Sequence, residues 1–393
     1  MIILSIETSC DETAVSIIKR VRGKNIRFEV LSNKILSQMD LHAQYGGVFP
    51  MLAKREHAKA LTQLIAEALN EADLLVERTN LYHLPMTEKS KLKKILERED
   101  EMFEAMLVMF EGIQKPAIDA IAITTGPGLE PALWVGVTAA MALNTVWGTP
   151  LYPINHMEGH IMAGMLHKEG DVYELASVEY PACALLISGG HTEIVRIPKI
   201  RSYNVIGNTR DDAVGEAFDK VARMLSLPYP GGPQISKLAE KARNESITVF
   251  EDLRLPRPMI NSKDLFFSFS GLKTAVLTRL KKYQTVTDEI KMMLALEFEN
   301  SVTDVLVTKV QQAIYETRAK TLIVGGGVSA NTHIRKALKE LANNEGFSLY
   351  IPEKYLSTDN GLMIAATGLL HIEYDKKPRV KLEANGSWSV ADC

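Results

Sequence analysis

Cysteine is scarce: of 393 residues only Cys10, Cys183 and Cys393 are cysteines, far apart and with no CxxC spacing. Such a set excludes a disulfide framework and a thiolate zinc site, and it fits a reducing compartment, with the cytoplasm as the expected location. Excess charge is also missing. Forty-five basic side chains stand against 48 acidic ones, a net charge of −3, so any polyanion must be met by local patches rather than by the whole surface. No run of about 18 apolar residues occurs, and no membrane span is expected. The opening Met1-Ile2-Ile3-Leu4-Ser5-Ile6-Glu7 has no basic lead-in and reads as a strand rather than a signal peptide. Neither GxxxxGK[ST] nor a clean GxGxxG with an acidic residue about 20 further on is present, which disfavours a P-loop protein and a Rossmann dehydrogenase.

What is present is a chain 46% apolar and too long for one ordinary core, which predicts two domains. Residues 2–7 and 14–19 read as two strands around a polar tip, Thr8 to Thr13. The arrangement returns at 182–187 and 192–197 around Ser188-Gly189-Gly190-His191, suggesting two similar lobes. Strands at 117–124, 151–154 and 321–324 alternate with glycine turns and with helices over 131–147, from 156 and from about 329. This is an α/β pattern. Residues 77–112 differ: a basic start (Lys89, Lys91, Lys93, Lys94) precedes an acidic stretch and apolar residues at helical spacing. One or two amphipathic helices are predicted there. A surface insertion is the preferred reading; if the segment makes a contact, Met102, Phe103, Met106, Leu107 and Phe110 favour a protein over an RNA, since such a face is costly to leave in water.

The most informative stretch is Asn155-His156-Met157-Glu158-Gly159-His160. Four residues advance a helix by about 400°, so the two imidazoles share one face and either hold a metal ion or are partly buried polar residues. Glu158 is turned about 200° from His156, unlike the glutamate of HExxH, which argues against a metalloprotease. Asp359, in Ser357-Thr358-Asp359-Asn360-Gly361, either completes a two-His, one-carboxylate set suited to Fe(II) or Zn(II), or caps the following helix. Three glycine turns, at 188–192, 229–233 and 325–331, can bring backbone N–H groups to an anion. Asp211 to Lys220 reads as a helix, with Asp212, Glu216, Asp219 and Lys220 on one face. That face is either a solvated set of ion pairs or a site where Asp219 accepts from ribose hydroxyls.

These motifs occur in the order of a known family. Glu7-Thr8-Ser9-Cys10-Asp11-Glu12-Thr13, His42-Ala43-Gln44-Tyr45-Gly46-Gly47-Val48, His156 to His160, Ser188 to Thr192, Gly215 to Lys220, Phe267 to Thr274, Gly326 to Asn331 and Thr358 to Gly361 together resemble the TsaD/Gcp family of tRNA N6-adenosine threonylcarbamoyltransferases. The resemblance implies a two-lobed fold of the actin/Hsp70/sugar-kinase type with a nucleotide cleft between lobes. It implies that His156, His160 and Asp359 hold one Fe2+ per subunit, with Zn2+ possible in its place. It also implies that Leu186, Ile187, Ser188, Gly189, Gly190, Asp219, Gly232 and Asn331 bind threonylcarbamoyl-AMP. The reaction it implies is transfer of threonylcarbamoyl to N6 of adenosine 37 in tRNAs reading ANN codons. The partners it implies are tRNA, an inactive paralogue subunit and a small P-loop ATPase, with a homodimer possible. Asp11 and Glu12, at the first hairpin tip, are the acid/base candidates. Ser357 stands where many relatives carry Cys. The lobes are expected at 1–152, bearing residues 77–112 as an addition, and at 153–360, with a helix at 361–375 packing back on the first. A phosphotransferase of the same fold and a non-catalytic scaffold are the competing functions; the histidine pair argues against the first, and retention of all three presumed ligands against the second.

Overall fold

A computed structural model describes residues 1–23, 25–375 and 382–393. The chain forms two compact units, Met1–Ser177 with Asp359–Asp392, and Val178–Thr358 with Cys393. In the first, β1 (Ile2–Glu7), β2 (Glu12–Val21) and β3 (Arg27–Ser37) form an antiparallel meander. Strands β4 (Ala120–Gly126) and β5 (Leu151–Asn155) add in parallel beside β1. A short hairpin, β6 (Leu166–Glu169) and β7 (Val172–Leu175), extends the other edge, giving the order β5-β4-β1-β2-β3-β7-β6.

The two faces of this sheet are built differently, and the difference positions the site. Leu4, Ile6, Val15, Ile17, Ile121 and Ile123 alternate onto one face. There they form a core with Leu61 and Ile65 of the helix Pro50–Glu71 and Val137 of the helix Glu130–Trp147. The opposite face carries Ser5, Ser16 and Ala122, and small side chains let a helix come close. Gly361 lies against Ser16, and a side chain at Gly368 would stand 2.6 Å from Ala122 Cβ. Ser5 Oγ donates to the Gly361 carbonyl at 2.8 Å. The helix Gly361–Asp375 is thereby seated on the first sheet, as expected, and Asp359 comes with it.

The second unit repeats the plan. Strands β8 (Ala182–Ile187), β9 (Thr192–Lys199) and β10 (Ser202–Asn208) form a meander, and β11 (Thr321–Gly325) and β12 (Ser348–Tyr350) run parallel beside β8. Its order, β10-β9-β8-β11-β12, matches β3-β2-β1-β4-β5 strand for strand and direction for direction. Two units of this mixed α/β topology in one chain are the pattern of the actin/Hsp70/sugar-kinase class. β8 and β11 are buried along their whole length, as central strands covered on both faces must be.

Several expectations shift. The division between units falls after Ser177 rather than at 152/153, because the helix His156–Met165 and the β6–β7 hairpin belong with the first sheet. Asp211 and Asp212 precede their helix, which runs Val214–Met224. After β11 a 3-10 turn, Gly327–Ala330, intervenes before the helix Thr332–Glu345. Residues 77–112 do hold two helices, Met86–Ile95 and Asp100–Gly112. Their apolar face, however, is not offered to a partner: Met102, Met106 and Phe110 are buried in this chain's own core, with Phe103 and Leu107 packed against it. Lys89 pairs with Glu111 at 2.8 Å. Among the described residues no helix is long and apolar enough to cross a membrane.

Candidate metal centre and nucleotide-binding turns

Asn155 starts the site. Its Oδ1 accepts from the N–H groups of Met157 and Glu158, capping the helix His156–Met165 at its first turn. The cap fixes where His156 begins, and the helical repeat stacks His160 beside it, ring centroids 4.7 Å apart. The third member arrives from the other helix. Asn360, not Asp359, provides the cap there, accepting from Met363 N–H at 3.0 Å. Asp359 is left free of that duty, and its Oδ1 lies 3.4 Å from His156 Nε2 and 3.2 Å from His160 Nε2.

These separations fit a metal ion. Two ligands at about 2.1 Å from a tetrahedral ion lie roughly 3.4 Å apart, and ligand atoms of the three residues all fall within 4.8 Å of one another. Both nitrogens of His160 are buried without a hydrogen-bond partner of good geometry. An orphaned buried imidazole is unfavourable unless something completes it. Burial works against the charged form of Asp359, yet the two imidazoles outweigh it and hold the carboxyl well below the usual range. Burial likewise opposes charge on His156, but Asp359 and Glu7 raise its pKa well above the ordinary value. Here is a strong pull between one carboxylate and two imidazoles.

Outer partners orient the ligands. His156 Nδ1 lies 3.1 Å from Glu7 Oε2 and 3.1 Å from Ser9 Oγ, leaving Nε2 directed at Asp359. Glu7, fully buried, also accepts from Thr124 Oγ1 and from the Ser9 N–H. Carboxylate-backed histidines of this kind are the usual second support of metal sites. Glu158 is turned away, as the spacing predicts, and meets His371 Nε2 at 2.7 Å. That buried pair ties the helix bearing both histidines to the helix that follows Asp359.

Asp11 and Glu12 lie at the β1–β2 tip, where Asp359 also acts on them. Burial first, then the charges of Asp359 and Asp11 and a hydrogen bond to Asp11, raise the Glu12 pKa well above the ordinary carboxylate value. A carboxyl pushed toward its neutral form beside a second carboxyl can exchange a proton with a reacting group.

In the second unit two of the three glycine turns, 188–192 and 325–331, meet at the carboxyl ends of β8 and β11, where ligands of such sheets bind. Gly326 (φ +89°) packs on the Ile187 backbone, and Gly215 N–H donates to the Ser188 carbonyl at 3.2 Å; a Cβ added at Gly215 would stand 2.6 Å from that oxygen, and one at Gly326 would collide with Ile187. Ser188 N–H donates to the His191 carbonyl, closing the first turn, while Gly189 and Gly190 face open space. Leu186 and Ile187, expected to touch the ligand, are instead fully buried, backbone included, and pair within the sheet with β9 and β11, so neither is presented at a surface. Asp219 Oδ1 accepts from Gly231 N–H at 2.7 Å, joining its helix to the Tyr229–Pro233 turn, and Gly232 lies open at the next helix start. The ion pairs expected on the face of that helix also form: Lys220 meets Asp212 at 2.8 Å and Glu216 at 2.7 Å. Asn331 caps the helix Thr332–Glu345 through Oδ1 and donates through Nδ2 to Ser236 Oγ and Glu299 Oε1. His371, Ser236 and Glu299 escaped sequence reasoning because the partner of each is distant in the chain, and Glu7, although part of the first motif, gave no sign there of its pairing with His156.

The sequence profile of the TsaD family, tRNA N6-adenosine threonylcarbamoyltransferase, matches residues 29–81 and 94–366. The chain belongs to this family. It is 41% identical to the tRNA N6-adenosine threonylcarbamoyltransferase of Bacillus subtilis (strain 168) over 388 residues, 98% of this chain and 94% of that one. It is 39% identical to the enzyme of the same name from Burkholderia thailandensis over 378 residues, 95% and 92% of the two chains. As a member it is an acyltransferase of tRNA modification. The unmatched internal stretch is residues 82–93, narrower than the 77–112 expected as an addition, so the helix Asp100–Gly112 lies within the family's own pattern. Among solved structures, full-length HypF covers 94% of this chain and 46% of its own at 12% identity, with a TM-score of 0.49.

Proposed function

We propose that this enzyme transfers the threonylcarbamoyl group of threonylcarbamoyl-AMP to N6 of adenosine 37 in tRNAs that read ANN codons. The observation that carries the reading is the His156/His160/Asp359 set, two buried imidazoles and a partly buried carboxylate at distances that fit an ion, in a chain of this family. The ion is Fe2+, one per subunit, with Zn2+ the substitute that the same donors accept. When bound it supplies Lewis acidity toward the carbonyl and carboxylate oxygens of the threonylcarbamoyl group.

The remaining work belongs to the chain's own groups. Backbone N–H groups of Gly189 and Gly190, in the turn that the Ser188 N–H closes onto the His191 carbonyl, receive the phosphate, and Asp219 accepts from the ribose hydroxyls. The N6 amine attacks the carbamoyl carbon, the bond from that carbon to the phosphate oxygen breaks, and AMP departs. The proton lost from N6 passes to the Asp11/Glu12 pair. An inactive paralogue and a small P-loop ATPase are the proposed partners, a homodimer is a further proposed assembly, and the cytoplasm is the proposed location. Incubation with tRNA, threonine, bicarbonate, ATP and a threonylcarbamoyl-AMP synthase, followed by nucleoside mass analysis, tests the reading. Threonylcarbamoyladenosine at position 37 is expected; unmodified adenosine in the presence of active synthase and partners would overturn it.

A further inference from the structure

The His42–Val48 motif touches none of the groups above, yet a closed polar network joins it to the hairpin tip. Phe49 N–H donates to His42 Nδ1 at 3.4 Å. An N–H can only donate, so His42 carries its proton on Nε2, which faces Gln38 Oε1 at 3.2 Å. Gln38 therefore turns its amide nitrogen to His57 Nδ1, 3.3 Å away. At the other end His57 Nε2 lies 3.0 Å from the Cys10 carbonyl oxygen, which can only accept, so His57 too is protonated on Nε2. Its Nδ1 also receives Thr13 Oγ1–H at 2.7 Å, and Gln38 N–H donates to the Asp11 carbonyl at 2.9 Å. Every proton in the network is assigned by a backbone group at one end or the other, with no conflict. Thr13, Gln38, His42 and His57 are all buried, and burial lowers the His57 pKa, in keeping with a neutral ring.

The bonds bracket the pair: the carbonyl of Cys10 before it, the carbonyl of Asp11 within it and the hydroxyl of Thr13 after it. We infer that His57 is a positioning residue for this carboxylate pair, clamping the β1–β2 tip from the helix Pro50–Glu71, with Gln38 and His42 fixing its tautomer. The inference rests on the acid/base reading of Asp11 and Glu12. A buried, fully satisfied network holds one geometry, and misplacing a catalytic group by about 1 Å costs up to ~100-fold in rate.

The test compares His57→Ala, His57→Gln, Thr13→Val, Asp11→Asn and Glu12→Gln in the reconstituted assay, with metal content and melting temperature measured alongside. His57→Ala is expected to lower kcat by roughly 10–100-fold with KM for tRNA and metal content unchanged. His57→Gln, which keeps a donor for the Cys10 carbonyl, should recover part of the loss. Thr13→Val, nearly isosteric, should fold normally and lose less. Unchanged kcat in His57→Ala and Thr13→Val, with Asp11→Asn or Glu12→Gln impaired, would overturn the clamp and leave the acid/base reading standing. Full activity in both carboxyl variants would remove that reading and the clamp with it. Loss of metal in parallel with kcat in His57→Ala would also overturn the inference.

Discussion

The two units share one topology but build their sites from opposite materials. In the first, the site consists of side chains aimed at one another without well-formed hydrogen bonds: both His160 nitrogens are buried without a hydrogen bond of good geometry, Nε2 facing Asp359 Oδ1 at 3.2 Å, and Asn360 rather than Asp359 takes the cap. In the second, the side chains named for a nucleotide have protein partners in hand. Asp219 holds Gly231, and Asn331 holds Ile334, Ser236 and Glu299; what lies open is glycine backbone at 189, 190 and 232. An ion demands several donors aimed at one point, which only side chains from two helices supply here. A phosphate is met as well by N–H groups at a turn or a helix start. The same strand order thus presents a rigid donor set in one case and a backbone cradle in the other.

If that contrast is right, the two sites respond to different damage. The largest effect is expected from His371→Ala, which leaves Glu158 buried without its 2.7 Å partner. A loss of ~3 kcal/mol in stability is expected, with weaker metal binding because the two ligand-bearing helices lose their tie; AMP affinity should hold. Thermal melts with metal and nucleotide titrations check this, and unaltered metal affinity would show that the pair supports the fold alone. A smaller effect follows from Asp219→Ala. Calorimetric titration should show AMP binding weakened by ~1–2 kcal/mol while metal content stays at the wild-type level. Unchanged AMP affinity would reduce Asp219 to a brace for the Gly231 turn.

Local periodicity made the histidine pair and the position of Glu158 legible, because both follow from 3.6 residues per turn. Strand–turn–strand repetition at 2–19 and 182–197 pointed to two similar lobes, and both sheets bear it out. What sequence left open needed contacts between distant residues. That Asp359 is not the cap of the following helix turned on Asn360, one position away, accepting from Met363 N–H. The apolar face of Asp100–Gly112 reads the same whether it meets a partner or its own core; the structure buries Met102 and Met106 completely. The unit boundary moved because the short β6–β7 strands pair onto β3, an edge contact with no local signature. His57 lies 44 residues from its partner Thr13, and nothing in its own neighbourhood marks it.

Elemental analysis of purified wild-type, His160→Ala and Asp219→Ala proteins, each confirmed folded by circular dichroism, tests the central contrast most directly. Wild type and Asp219→Ala should each carry one equivalent of iron or zinc, and His160→Ala should carry almost none. Equal metal in all three would contradict the assignment of His156, His160 and Asp359 as a shared metal site.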